Sequence, residues 1–239
     1  MSYSREKPDG ADVMTSDLFH KLCLQASCLA VRQRGRIGNL VLSVNNGGES
    51  LIREPEMLYA FCRTLDAGEH RYGIEVPTGR RYRFVDQLRD RTMRARHDLV
   101  ILEDSRPDVL VELKRDQPAA YGEDYPAISK DLRKLLLEKA GGKVMFHICH
   151  AADAGTLPAV IQKYVASFAF ATATVAAEQV ESANDNSWFA FYLLVLHDRN
   201  DDQQAVLRRF MAPSLAALRV SMPGLQLRHF DSELIPRGD

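Results

Sequence analysis

The sequence predicts an α/β fold, a central mixed β-sheet flanked by helices, and three observations carry that expectation. Apolar residues recur at helical spacing in several separate stretches. Between these stretches lie short apolar runs with the length of buried strands. The segments follow the order helix, strand, strand, strand, helix, strand, which describes helices packed around a mixed sheet.

Taken in order, residues 1–15 are polar and carry Pro8 and Gly10, so they are expected to be disordered. Ser16 or Asp17 can cap a helix to about residue 31, because Leu18, Leu22, Ala26 and Ala30 repeat at helical spacing. Asn45-Asn46-Gly47-Gly48 marks a turn. Glu54-Pro55-Glu56 starts a second helix that buries Leu58, Phe61, Cys62 and Leu65. Residues 72–76, 98–103 and 108–114 are expected strands, the last two joined tightly through Asp104-Ser105-Arg106-Pro107. A helix over about residues 127–139 buries Ile128, Leu132, Leu135 and Leu136 and stops at Gly141-Gly142. A strand at 143–149, a helix at 157–180, a strand at 188–196 and a helix at 203–211 complete the chain, followed by an ill-defined tail. Residues 16–239 are thus expected to form one α/β domain with an N-terminal helical and a C-terminal α/β extension.

Composition narrows the class. Of the 239 residues 46% are hydrophobic and 26% charged, values of an ordinary globular chain able to bury a continuous core. The net charge of -1 means that any affinity for phosphate must come from local patches. The four cysteines, Cys23, Cys28, Cys62 and Cys149, form no CxxC pair, which predicts reduced thiols and argues against a zinc knuckle. MSYSREKPDG lacks the apolar core of a signal peptide. The apolar run at 165–177 is shorter than a bilayer span. Together these features predict a cytoplasmic protein, neither secreted nor membrane-embedded.

The chemistry concentrates in His97-Asp98-Leu99-Val100-Ile101-Leu102 and Pro107-Asp108-Val109-Leu110-Val111-Glu112-Leu113-Lys114. Side chains alternate along a strand, so Glu112 and Lys114 project together while Val111 and Leu113 face the core. If the two strands form a hairpin, an even register brings Asp98 to the same face. Two carboxylates at close range repel unless a cation lies between them. Such oxygen donors suit Mg²⁺ or Mn²⁺. Glu112-Leu113-Lys114 is the only acidic-x-Lys triplet in the chain, and it sits inside an otherwise apolar strand.

This pattern resembles the PD-(D/E)XK nuclease superfamily, the restriction-endonuclease-like proteins, over roughly residues 50–150. In that superfamily an Asp begins one strand and an E-x-K follows on the next; here those positions are Asp98 and Glu112-Leu113-Lys114. The resemblance implies a restriction-endonuclease-like core and a metal-dependent nuclease acting on DNA rather than RNA. It also implies Asp98 and Glu112 as metal ligands for Mg²⁺ or Mn²⁺, and Lys114 as the residue that assists the attacking water. An acidic residue from the preceding helix, Glu54 or Glu56, would complete the catalytic cluster, and a homodimer would let the enzyme reach both strands. The rival expectation is a catalytically silent relative that binds nucleic acid or protein.

Residues 80–97 hold Arg80, Arg81, Arg83, Arg89, Arg91, Arg94 and Arg96 against Asp86 and Asp90. The functional expectation is a phosphate-binding surface in which Arg94 and Arg96 take part; the structural alternative is a solvated face. Lys130 and Lys134, one helical turn apart, are expected to face the same groove or simply solvent. His147 and His150 lack a matching third ligand and are expected to be satisfied structural histidines. Glu75 either extends the site or faces solvent, and Trp188, Phe191 and Tyr192 are expected in the core.

Overall fold

A computed structural model describes residues 13–33, 36–37, 40–41, 52–85, 90–115, 126–151, 155–177, 186–197 and 205–236. The expected disorder of residues 1–12 and the turn at Asn45–Gly48 lie outside them. Residues 13–15 do not follow the expectation of disorder: Met14 is buried, and its amide donates to Asp108 Oδ2 at 2.8 Å. Helix α1 (Ser16–Arg32) is capped by Thr15, one residue earlier than expected, whose Oγ1 accepts from the Leu18 amide. Two short strands, β1 (Arg36–Ile37) and β2 (Leu40–Val41), pair antiparallel, and helix α2 (Glu54–Ala67) follows with Pro55 in its first turn.

The main sheet has seven strands in sequence order: β3 (Arg71–Val85), β4 (Asp90–Glu103), β5 (Arg106–Arg115), β6 (Gly142–Ala151), β7 (Trp188–His197), β8 (Ala205–Ala212) and β9 (Asp231–Ile235). Pairing is antiparallel from β3 to β5, parallel from β5 to β7 and antiparallel from β7 to β9. The parallel pairs need crossovers, which helices α3 (Pro126–Leu137) and α4 (Thr156–Ala177) supply. The β4–β5 hairpin turns on Asp104 and Ser105, whose φ values of 44° and 68° meet the left-handed requirement of a two-residue turn. The mixed sheet with flanking helices is the fold class that the alternating segments predict.

The sheet separates two cores. One lies toward α3, α4 and the short helix α5 (Leu215–Ser221), and includes Val100, Leu110, Leu132, Leu135, Ile161 and Phe191. The other lies toward α1 and α2 and includes Phe19, Phe61, Leu99, Val111, Phe146 and Tyr192. Alternate residues of β7 enter the two cores, so Phe191 and Tyr192 are core residues as expected. Gly142 is required where β6 meets β7, because a Cβ there would stand 2.1 Å from Trp188 Cζ2.

Two expectations are corrected. Residues 205–212 form a strand, not a helix: the antiparallel pairing with β7 and the inward positions Ala205, Leu207, Phe210 and Ala212 outweigh the helical propensity of Leu, Arg and Met. The expected helix at 157–180 is α4, and the second correction concerns the bilayer length that its apolar run at 165–177 was expected to fall short of. By length and composition the segment Thr156–Ala176 could cross a bilayer. In the fold its stripe Leu157, Ile161, Tyr164, Phe168, Ala171 and Val175 packs into the core, while Phe170 is exposed.

Candidate active site

The site forms where β4 parts from β5. Their pairing runs from Glu103↔Arg106 to Leu99↔Val111 and ends there. Extended by one step, that register sets Asp98 opposite Glu112. Among the described residues Asp98 has no pairing partner on either neighbouring strand; its carboxylate accepts the Leu113 amide at 2.7 Å and so replaces a ladder hydrogen bond. On the other side, the β3–β4 register steps from Ile74↔Leu99 to Val76↔His97, past Glu75, which is exposed with φ 52°. Ala95 and Val100 belong to the same core although they lie an odd number of steps apart along the strand, so β4 changes phase between them. This change turns the His97 ring inward onto Glu112.

Glu112 is fully buried and holds two partners: His97 Nδ1 at 2.5 Å from Oε1 and Lys134 Nζ at 2.6 Å from Oε2. The Lys134 ammonium also donates to the Arg96 carbonyl at 2.7 Å and pairs with Asp131 Oδ1 at 2.8 Å. It is therefore cradled by three oxygens. The other oxygen of Asp131 pairs with Lys114 Nζ at 2.6 Å. Asp131 and Lys134 thus tie the Glu-x-Lys strand to helix α3, a link that only the packing of α3 over β5 creates.

Burial raises the pKa of Glu112, the more so beside Asp131 and Asp98, and Lys134 only partly offsets this. Burial likewise raises Asp98 and Glu54. At Asp131 burial is outweighed by the Lys134 and Lys114 ammonium groups, which hold its carboxyl below the ordinary range. Burial works against the charge of Lys114, yet Asp131 and Asp98 raise its pKa, so it stays an ammonium through the neutral range. His97 is pushed down to about 3 by burial and by Lys134, and is neutral. A neutral ring facing a carboxylate carries its proton on Nδ1, and Nε2 has no hydrogen-bond partner among the described residues.

Of the two acidic residues on α2, Glu54 lies at the site. It accepts a backbone hydrogen bond from Arg115 and feels the charges of Lys114 and Asp98. Glu56 instead caps its own helix by accepting the Arg53 amide, and lies near Arg53 and Arg115. Arg94, Arg96 and Lys130 are exposed, whereas Lys134 is 3% exposed and does not share a solvent face with Lys130. His147 is buried and bonded through Nδ1 to the Tyr164 hydroxyl at 2.7 Å, a structural histidine; the His150 side chain lies outside the described residues.

The four carboxylates Glu54, Asp98, Glu112 and Asp131 face two ammonium groups, Lys114 and Lys134, which leaves an acidic excess of two when all are charged. Among the described residues no three His, Cys, Asp or Glu side chains gather as a metal cluster. The donor set still fits a hard divalent cation, because Mg²⁺ commonly takes only one or two carboxylates and fills its remaining positions with water and substrate phosphate. Sequence reasoning did not identify His97 and Asp131. Asp131 left a signal: it falls on the apolar stripe Ile128, Leu132, Leu135 of α3, where a charge needs a buried partner. The chain matches no protein family, curated protein or solved structure.

Proposed function

We propose that this protein is a metal-dependent nuclease that hydrolyses phosphodiester bonds, with DNA as the preferred substrate. The observation that carries the reading is the convergence of Asp98 and Glu112 at the parting of β4 and β5, with Lys114 two residues along the same strand. Asp98 and Glu112 would hold Mg²⁺ or Mn²⁺, and Glu54 on α2 lies near enough to feel the charges of Asp98 and Lys114. The bound cation would supply an acidified water and neutralise charge developing on phosphorus. Lys114, kept protonated by Asp131, is suited to orient that water or to donate to a phosphate oxygen, and not to act as a base. His97 fixes the Glu112 carboxylate from behind. The preference for DNA over RNA comes from the superfamily resemblance.

One observation favours a second reading. Both oxygens of Glu112 are already engaged, by His97 and Lys134, and this suits a catalytically silent protein that keeps the scaffold for binding. The two readings part on incubation of supercoiled plasmid and single-stranded DNA with Mn²⁺, comparing wild type with Lys114→Ala. Cleavage by wild type that is lost in the variant supports the nuclease. Full activity in the variant refutes the mechanism, and no cleavage by either protein, with no Mn²⁺-induced rise in melting temperature, favours the silent reading.

A further inference from the structure

The β3–β4 ribbon extends beyond the sheet. Strand β5 accompanies β4 only as far as Leu99, so among the described residues β3 is the only strand partner of residues 90–98 of β4. At about 3.3 Å per residue this two-stranded arm rises roughly 25–30 Å past the parting point. One of its faces is fastened to the body. Tyr82 is 1% exposed, donates its hydroxyl to Glu138 at 2.7 Å and lies under the Arg133 guanidinium; Glu138 also accepts the Gly79 and Arg80 amides. Ala95 joins the same core.

Alternation then turns Arg81 and Arg94 to the opposite face, where both are exposed. They stand directly across from each other in the register, an arrangement of like charges that disfavours pairing in the absence of an anion. Thr92 and Arg96, at the same phase of β4, are exposed too, so Thr92, Arg94 and Arg96 present neither an acidic nor an aromatic side chain there. Arg96 also supplies the carbonyl that binds Lys134, which fixes the root of the arm to the candidate site.

We propose that this arm binds duplex nucleic acid, with its outer face of Arg81, Arg94 and Arg96 in a groove and on the flanking phosphates. A two-stranded ribbon has the width that the major groove of B-DNA admits. The lack of an exposed aromatic on the described outer face of β4 argues against a single strand, whose bases would need a stacking platform. Anchoring by Tyr82 and Glu138 holds the arm in place before binding, which lowers the entropy cost of docking. The arm deepens the nuclease reading, on which it rests only for the place of the cut: it would lay the bound backbone across Asp98 and Glu112.

The test is fluorescence anisotropy with a 30-base-pair duplex and with its isolated strand, in EDTA so that no cleavage intervenes, over a series of salt concentrations. Wild type is expected to favour the duplex. Arg81→Gln/Arg94→Gln should weaken duplex binding about tenfold or more and reduce the salt slope by about 1.8, the loss of two phosphate contacts. Arg81→Lys/Arg94→Lys should stay near wild type, and unchanged melting temperatures confirm that the variants fold. Equal affinity for both probes, no binding by wild type, or a Gln variant that binds like wild type overturns the proposal. Intact duplex binding without cleavage in Mn²⁺ would count against the nuclease reading alone.

Discussion

Replacing Lys134 with Met tests whether its ammonium stands in for a cation. The side chain is 3% exposed and touches Glu112 Oε2, the Arg96 carbonyl and Asp131 Oδ1, so the substitution leaves two buried carboxylates short of one positive charge. Removing one partner of such a buried pair costs about 3–5 kcal/mol. Proton uptake by Glu112, whose pKa burial already raises, brings the expected loss to the lower end of that range. At a few degrees per kcal/mol for a domain of this size, the metal-free variant should melt roughly 6–12 °C below wild type. A divalent cation placed among the same oxygens restores the missing charge. If 10 mM Mn²⁺ lies about 100-fold above the dissociation constant, the native state gains about 2.7 kcal/mol, or roughly 5–10 °C. Wild type should gain less, because Mn²⁺ must compete with the ammonium for Glu112. Differential scanning calorimetry with and without Mn²⁺ provides the readout, with Glu112→Gln/Lys134→Met as the control that should gain little. A Lys134→Met protein with a smaller Mn²⁺ shift than wild type would refute the competition.

Two further predictions follow from buried groups. His97 has a folded pKa of about 3, below its ordinary value, so the unfolded chain binds a proton that the folded chain does not. Stability is therefore lost as pH falls from about 6.5, and acidification from pH 7 to pH 5 costs about 2 kcal/mol on account of this ring. Glu112 works in the opposite sense, being raised, and Asp131 matters only below the ordinary carboxylate range, so His97→Gln isolates the ring while its amide can still donate to Glu112. Urea titrations should show about 2 kcal/mol less acid destabilisation in the variant; equal losses in both proteins would contradict a buried neutral His97. Gly142→Ala drives a methyl group into Trp188 and should cost about 1–3 kcal/mol, seen as a lowered melting temperature. An unchanged melting temperature would mean that the β6–β7 junction has room to yield.

The alternation of helical and strand periodicity was enough to predict a mixed sheet flanked by helices, because apolar residues must face a core whatever the details of packing. The period-2 pattern likewise put Glu112 and Lys114 on one face, since alternation is a local property of any strand. Local signals failed for residues 205–212, where a seat beside β7, buried from Phe189 to Leu196, decided strand over helix. Nor could the sequence separate Glu54 from Glu56, as both sit in one helical turn and only the placement of α2 sends Glu54 toward Lys114 and Asp98. The partners of Glu112 were hidden for the same reason. His97 reaches it through a change of phase in β4, and Lys134 through the packing of α3 across β5. Electrostatic partnership depends on distance and burial, and for residues far apart in the chain these arise only in the folded protein.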